Sequence, residues 1–503
     1  MKHAAYDLCV IGGGINGAGV ARDAAGRGLS VVLLEAKDLA QGTSSASTKL
    51  IHGGLRYLEY FQFKLVRESL MERERLLKIA PHIIWPLRFI LPHDKTQRPF
   101  WMIRAGLFLY DNLARRDRLK SSQAIDFEVS SYAGPLQKIF QRGVSYADCW
   151  VEDSRLVVLN ALDAKEHGAE IKTRSRCKNI KRGDGVWQIV YEDAQGQEKT
   201  MSARTVVNAA GPWAYQVLEQ AGLAAPDVPR LRLVKGSHII IKRAYEGDHA
   251  YVLQQPDKRI VFTIPYEQDY TLIGTTEQAF HGDAYNAMIT DDEINYLMKA
   301  YNASFQTPIT KADVQWAYSG VRPLFDDGSD SATSASRDFR IHVHDEDLPL
   351  ISIFGGKLTT YRLVAEAAVD QVLAMNKLIL SRWTGAKHLP GGGFKEGNFE
   401  AFVSQLMARY PWLPRGVAHR YARAYGTRAD RFLDGARSVS DLGRDFGDGV
   451  YEAELVYLIE HEWAMTAEDI LWRRSKLGLH VSETTLAALN AEIPALVKRS
   501  AKS

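Results

Sequence analysis

The chain has 503 residues, of which 46% are hydrophobic and 24% charged, and its formal net charge is +3. That balance describes an ordinary globular protein, long enough for about three domains. It exerts no strong global pull on nucleic acid or anionic lipid, so no nucleic acid is expected among its partners. Only Cys9, Cys149 and Cys177 are present, with no close pair of the metal-binding type. A reducing cytoplasm is therefore favoured, disulfides are not needed, and no metal is expected.

The first informative stretch runs from Tyr6 to Glu35. An apolar strand leads into Gly12-Gly-Gly14-Ile-Asn-Gly17, then a helix, then the strand Val31-Val-Leu-Leu-Glu35. Gly12 permits the tight turn, Gly14 lets the backbone approach a pyrophosphate, and Gly17 lets helix and strand pack closely. The N–H groups at the helix start favour phosphate charge. Glu35 can accept hydrogen bonds from both hydroxyls of a ribose. A dinucleotide is expected here, and a strand starting at residue 6 leaves no room for a signal peptide.

Next comes Gln41-Gly-Thr43-Ser44-Ser45-Ala-Ser47-Thr48-Lys49-Leu-Ile-His52-Gly-Gly-Leu-Arg56-Tyr57. A polar surface loop capping a helix would explain the hydroxyls alone. The His-Gly-Gly-x-Arg-Tyr tail favours FAD instead, because its small residues let backbone pass close to a ring system. Thr43, Ser44, Ser45 and Lys49 would then grip the far side of the pyrophosphate.

Arg67–Lys78 carries helical charge pairs and is expected to be a solvated helix face. Pro99–Leu113 is a broad apolar, aromatic-rich helix with Gln97, Arg104 and Asp111 as a narrow polar stripe and a basic flank after it. The width of its apolar face favours a buried core helix; the flank favours an interfacial helix lying on a membrane. No segment reaches the roughly 18–20 uncharged apolar residues of a membrane span. Val144–Arg176 suggests a return to the dinucleotide domain, and Thr205–Gly211 a buried strand ending in a glycine turn beside the cofactor. Residues 215–315 are β-rich, Tyr318–Leu324 and Leu350–Tyr361 return to the cofactor, and Leu389–Gly393 is a linker to a helical tail. In the turn Gly355-Gly356-Lys357-Leu358-Thr359, N–H groups and the following helix start offer positive potential to a reduced flavin.

Thr43–Ser45 and Ser47–Leu58 together resemble the signature of FAD-dependent glycerol-3-phosphate dehydrogenases. Further matching stretches are Asn208–Trp213, Lys235–His238, Ile273–Thr276, Tyr318–Leu324 and Phe354–Tyr361, so the likeness covers nearly the whole length. The resemblance is strongest to the aerobic, respiratory-chain-linked bacterial type. It implies oxidation of sn-glycerol 3-phosphate to dihydroxyacetone phosphate by hydride transfer to FAD, with electrons passed to a quinone. It also implies peripheral attachment to the inner face of the cytoplasmic membrane, and leaves a homodimer open.

The fold expected is mixed α/β. A Rossmann-like FAD domain (1–80, 140–215 and 316–385) would interleave with a β-rich substrate domain (81–139 and 216–315), followed by a helical C-terminal domain (390–503). Removing the substrate's hydroxyl proton needs a base near neutral pH; His52 is the first choice and His238 the second. Arg322 leads the phosphate ligands, with Arg56 and Lys357 beside it and Arg337 a weaker candidate. Tyr57 would position the substrate, and the resemblance sets Cys177 against the adenine. Two alternatives stand: an oxygen-using oxidase of glycerol 3-phosphate or of amino acids, and a flavin-binding protein whose helical tail docks a partner.

Overall fold

Two β-sheets and a bundle of helices divide the chain in this computed structural model, which describes residues 5–225, 228–326, 338–345 and 347–501. The first sheet has the strand order Phe339–Asp345, Leu350–Gly355, Glu198–Asn208, Tyr6–Ile11, Val31–Leu34 and Glu170–Lys172. Along this order all neighbours are parallel except the first pair, and Glu198–Asn208 also pairs antiparallel with Trp187–Glu192. Leu8–Ile11 and Val31–Leu34 are apolar and buried throughout, as suits the centre of a sheet covered on both faces. Leu8 and Val10 point to one side, under the helices Ile15–Gly26, Asp153–Glu166 and Tyr361–Met375. Cys9 and Ile11 point to the other, against the antiparallel strands Arg176–Arg182 and Trp187–Glu192 and the short helix Ala214–Gln220. The period of two along the strand thus builds three layers.

The second sheet has ten strands and is mostly antiparallel. It contains the expected β-rich region, from Leu231–Lys242 to Gln278–Ala279. It also takes Leu50–Ile51, Arg142–Val151 and Val314–Phe325, which the expected boundaries gave to the FAD domain. Each is a connection that crosses between sheets, and a β pattern does not say which sheet a strand joins.

Two helices differ from expectation. The charged helix Phe63–Ile79 is not simply solvated, since Glu72, Arg73 and Glu74 are buried. Arg73 pairs with Asp148 at 2.6 Å, and Glu72 with Arg362 at 2.6 Å. Conversely, the helix Phe100–Asn112 buries only Leu107 and Tyr110, while Trp101 and Phe108 are 69% and 71% exposed. The buried-core reading of that helix is therefore overturned. Among the described residues no helix is long and apolar enough to cross a membrane.

The tail forms a bundle of Phe399–Arg409, Arg415–Tyr425, Glu452–Glu462 and Glu483–Ser500 around Tyr421, Tyr425, Leu455 and Leu489. The glycine linker is docked rather than slack: Leu389 donates to the Ile79 carbonyl at 2.8 Å, and Thr427 donates to that of Gly391 at 3.1 Å. Buried ion pairs join bundle to first sheet. The π-helix Asp469–Arg474 sends Arg473 and Arg474 to Asp38, at 2.7 and 2.8 Å, and Asp469 to Arg174 at 2.6 Å. Asp38 and Arg174 flank the loops that follow Val31–Leu34 and Glu170–Lys172.

Candidate functional site

A cavity of about 1270 Å³ lies between the sheets, at the carboxyl ends of the parallel strands. The glycine turn forms its floor. Gly12 has φ +110°, and a Cβ there would sit 2.6 Å from the Ala209 carbonyl oxygen. A Cβ on Gly17 would sit 1.8 Å from the Gly12 carbonyl oxygen, so this glycine serves strand–helix packing and does not line the cavity. Gly14, Ile15 and Asn16 open the helix N-terminus onto the cavity. Thr43 and Ser44 also line it: Ser44 Oγ accepts from the Ile15 N–H at 3.0 Å, and Thr43 Oγ1 donates to the Val321 carbonyl at 2.6 Å.

Glu35 lines one end, its carboxylate accepting from the N–H groups of Gly13 (2.6 Å) and Lys37 (2.7 Å). Burial raises its pKa, and those two N–H groups oppose the rise. Each carboxylate oxygen keeps a further lone pair for a ribose hydroxyl. Ser175, Arg176 and Cys177 line the wall beside it. Gly211, with φ +56°, follows the strand Glu198–Asn208 on the same wall.

The other end lies between two stitched loops. Gly355 and Gly356 take φ +77° and +95°, and Lys357, Leu358 and Thr359 complete the turn. Thr359 Oγ1 accepts from the His52 N–H at 3.2 Å and lies 3.3 Å from the His52 carbonyl. Gly53 N–H donates to Tyr110 Oη at 2.9 Å, and Tyr110 in turn bonds Asp148, which Arg73 holds. The inward charges of the helix Phe63–Ile79 thus fix the His52 loop. A Cβ on Gly54 would lie 2.2 Å from the Tyr57 ring, so glycine lets that ring fold back. Lys357 Nζ then sits 4.2 Å from the Tyr57 ring centroid and 3.2 Å from Ser69 Oγ.

Arg56, Tyr57, His52, Lys357 and Arg322 all line this cavity. Arg322 comes from Val314–Phe325 and donates to Thr275 Oγ1 at 3.2 Å. A Cβ on neighbouring Gly236 would fall 2.7 Å from its guanidinium, so that glycine gives the fork its space.

Like Gly17, the expected residues Ser45, Lys49 and His238 do not line the cavity. Lys49 does not line the cavity: its buried Nζ is 2.9 Å from both carboxylate oxygens of Asp153 and donates to the Ser45 carbonyl at 3.1 Å. It fastens the loop from behind through the Ser45 carbonyl. A buried lysine needs a carboxylate partner, which a nearby helix start supplies. His238 is fully buried behind the wall, stacked on Tyr318 with centroids 4.7 Å apart, and its Nε2 is 3.0 Å from Thr48 Oγ1. Burial, then Arg322 and Lys49, holds its pKa well below the usual range, so the ring is neutral. Its Nε2 meets Thr48, which lines the cavity, whereas His52 lines the cavity itself. Arg337 lies outside the described residues.

The sequence reading missed other parts of the wall. Lys258, Arg259 and Arg98 line the cavity, with Arg259 paired to Asp257 and Arg98 to Glu59. Trp213, Asp283 and Tyr285 line the end near Glu35. Trp213 closes the matching stretch Asn208–Trp213 but was given no role; the others carry no motif, because their neighbours are fixed only by the fold. Among the described residues no group of His, Cys, Asp and Glu could hold a metal ion.

The helix start, the ribose acid and the twin-glycine turn fit FAD along the length of the cavity. Pyrophosphate would be held at Gly14–Asn16 and Ser44, adenosine at Glu35 and Ser175–Cys177, and the flavin by the His52–Gly54 and Gly355–Thr359 turns. Residues 7–362 match the family described as FAD dependent oxidoreductase, and residues 383–500 match the C-terminal domain of alpha-glycerophosphate oxidase. The glycerol-3-phosphate dehydrogenase of Pseudomonas aeruginosa is 51% identical over 479 residues, covering 95% of this chain and 93% of its own. The aerobic glycerol-3-phosphate dehydrogenase of Escherichia coli K12 is 50% identical, covering 94% of each. D-erythritol 1-phosphate dehydrogenase of Brucella abortus is 47% identical over 96% of each. Among solved structures, the glycerol-3-phosphate dehydrogenase of Bacillus halodurans complexed with FAD aligns over 100% of this chain and 91% of its own, with a TM-score of 0.78 and 27% identity. The chain belongs to the FAD-dependent oxidoreductase family, in its glycerol-3-phosphate dehydrogenase group.

Proposed function

We propose that the protein oxidises sn-glycerol 3-phosphate to dihydroxyacetone phosphate and passes the electrons to a respiratory quinone. The observation that carries this reading is the convergence of Arg56, Arg322 and Lys357 on one cavity with His52. Three cations suit a phosphate of about −1.5 to −2 charges near neutral pH. Each, at about 4 Å, contributes roughly 4 kcal/mol at an effective dielectric of 20, before desolvation costs. Arg322 and Arg56 hold the phosphate by their forks, and Tyr57, backed by Lys357, closes over the carbon chain. His52 takes the hydroxyl proton at an imidazole nitrogen while the phosphate anchor keeps the reacting carbon in line. FAD, when bound, supplies the hydride acceptor. The N–H groups of the Gly355–Thr359 turn would offer the bound flavin positive potential. His238 and Thr48 act behind this set, as a neutral ring and a hydroxyl that orient the cavity wall.

The likeness to a D-erythritol 1-phosphate dehydrogenase favours a second reading, a four-carbon polyol phosphate in the same site. Anaerobic flavin bleaching separates them: glycerol 3-phosphate is expected to bleach the flavin faster than D-erythritol 1-phosphate, and the reverse order would transfer the assignment. Fast reoxidation in air, with slow reoxidation by a soluble quinone, would make the protein an oxidase.

Attachment to a membrane surface is part of the proposal. Phe61, Trp101 and Phe108 are exposed by 79%, 69% and 71%, on the Leu55–Tyr60 turn region and the helix packed beside it. Aromatic side chains of this kind favour the water–lipid boundary. The triple variant Phe61→Ser, Trp101→Ser, Phe108→Ser is expected to lose most of its co-sedimentation with phospholipid vesicles. Undiminished co-sedimentation would move the contact elsewhere.

A further inference from the structure

The segment between Phe280 and Thr290 leaves the second sheet and returns to it. Phe280 N–H donates to the Leu233 carbonyl at 2.9 Å, and Lys235 Nζ reaches the Met288 carbonyl at 2.9 Å. A capping box of Thr290 and Glu293 then starts the helix Asp291–Asn302. Between these anchors the tip crosses to the first sheet. The Tyr285 ring stacks on Trp213, with centroids 3.9 Å apart and planes at 25°. Trp213 Nε1 donates to Asp283 Oδ1 at 2.9 Å, and Lys37 Nζ lies 3.7 Å from the Tyr285 ring centroid. A Cβ on Gly42 would lie 3.2 Å from the Trp213 ring, so that glycine lets the indole lie flush on the loop after Glu35.

The tip sits at one particular end of the cavity. Asp283, Tyr285 and Trp213 line it together with Glu35 and Arg176, and the charges felt by the Tyr285 hydroxyl are those of Glu35, Arg176 and Asp283. These are the positions expected for ribose and adenine. Tyr285 is only half-buried, so no core depends on it. We propose that this strap is a lock on the adenosine half of FAD: Tyr285, braced by Trp213 and Lys37, closes the cavity over ribose and adenine and governs how fast the cofactor leaves. The inference rests on the FAD site and not on the substrate assignment, so its test is independent of whether glycerol 3-phosphate bleaches the flavin.

Release is measured by diluting holoprotein into FAD-free buffer and following the fluorescence of freed flavin. Tyr285→Leu is expected to release FAD about tenfold faster, equivalent to about 1.4 kcal/mol, as loss of one aromatic stack and one cation–π contact requires. Tyr285→Phe keeps the slow rate, because the ring and not the hydroxyl makes both contacts. FMN lacks the adenosine, so apoprotein of wild type and Tyr285→Leu should bind it equally. Wild-type FAD release from Tyr285→Leu would overturn the proposal. So would an equal loss of FMN and FAD affinity, which would mean general loosening. If Tyr285→Leu does not fold, Lys37→Met carries the same test, with release expected about two- to fivefold faster and an unchanged rate overturning it.

Discussion

Arg322→Ala is expected to raise the KM for glycerol 3-phosphate by tenfold or more while the protein keeps its full complement of FAD. The guanidinium lines the cavity and donates to the Thr275 hydroxyl, and Gly236 on the paired strand leaves it room. Its removal takes away one of the three cations assigned to the phosphate. Even half of the roughly 4 kcal/mol attached to a charge at 4 Å shifts binding by about thirtyfold. Arg322→Lys should recover part of the loss, because the charge returns without the bidentate geometry. Steady-state kinetics alongside the flavin-to-protein ratio checks both. Loss of FAD, with normal kinetics in the holoenzyme that remains, would assign Arg322 to the cofactor instead.

Asp38→Ala is expected to cost about 3–5 kcal/mol of stability, the usual consequence of removing one partner from a buried ion pair. Asp38 is fully buried, and both Arg473 and Arg474 are aimed at it from the C-terminal bundle. Urea denaturation measures the loss, and unaltered stability would show that the bundle is held by its apolar contacts alone. The same junction sets an acid limit. Burial pushes the Asp469 carboxyl up, but Arg174, Arg473 and the Met465 N–H outweigh it and hold it down from 3.8 to about 2. Its contribution is complete above the unfolded pKa, and is lost as pH falls from about 4 through about 2. Asp469→Asn should therefore flatten the decline of stability across that window.

The parts of the site that a local pattern can encode were legible in the sequence. Gly12 takes φ +110° in the turn and Gly17 packs on the Gly12 carbonyl within one strand–turn–helix unit, and Glu35 follows the adjacent strand, so their spacing carries the information. The three-layer domain followed from the same unit and from the apolar strands beside it. What failed depended on partners distant in sequence. Lys49 looked like a phosphate ligand because its loop was polar, but Asp153, 104 residues away, turns it inward. The helix Phe100–Asn112 looked buried because its sequence is apolar, yet the surface beneath it takes only Leu107 and Tyr110. The strands Arg142–Val151 and Val314–Phe325 do return to the cavity, but their hydrogen-bond partners lie in the second sheet, which a β pattern does not specify. Tyr285 carried no motif, since its role arises from a strap meeting Trp213 across 72 residues of chain.

The substrate assignment is tested most directly by mixing holoprotein anaerobically with glycerol 3-phosphate, and separately with glycerol, while following the oxidised-flavin absorbance. The arrangement of Arg56, Arg322, Lys357 and His52 predicts fast bleaching by glycerol 3-phosphate and almost none by glycerol at the same concentration. Equal bleaching by both would remove the phosphate from recognition, and no bleaching by either would contradict the assigned substrate while leaving the FAD site standing.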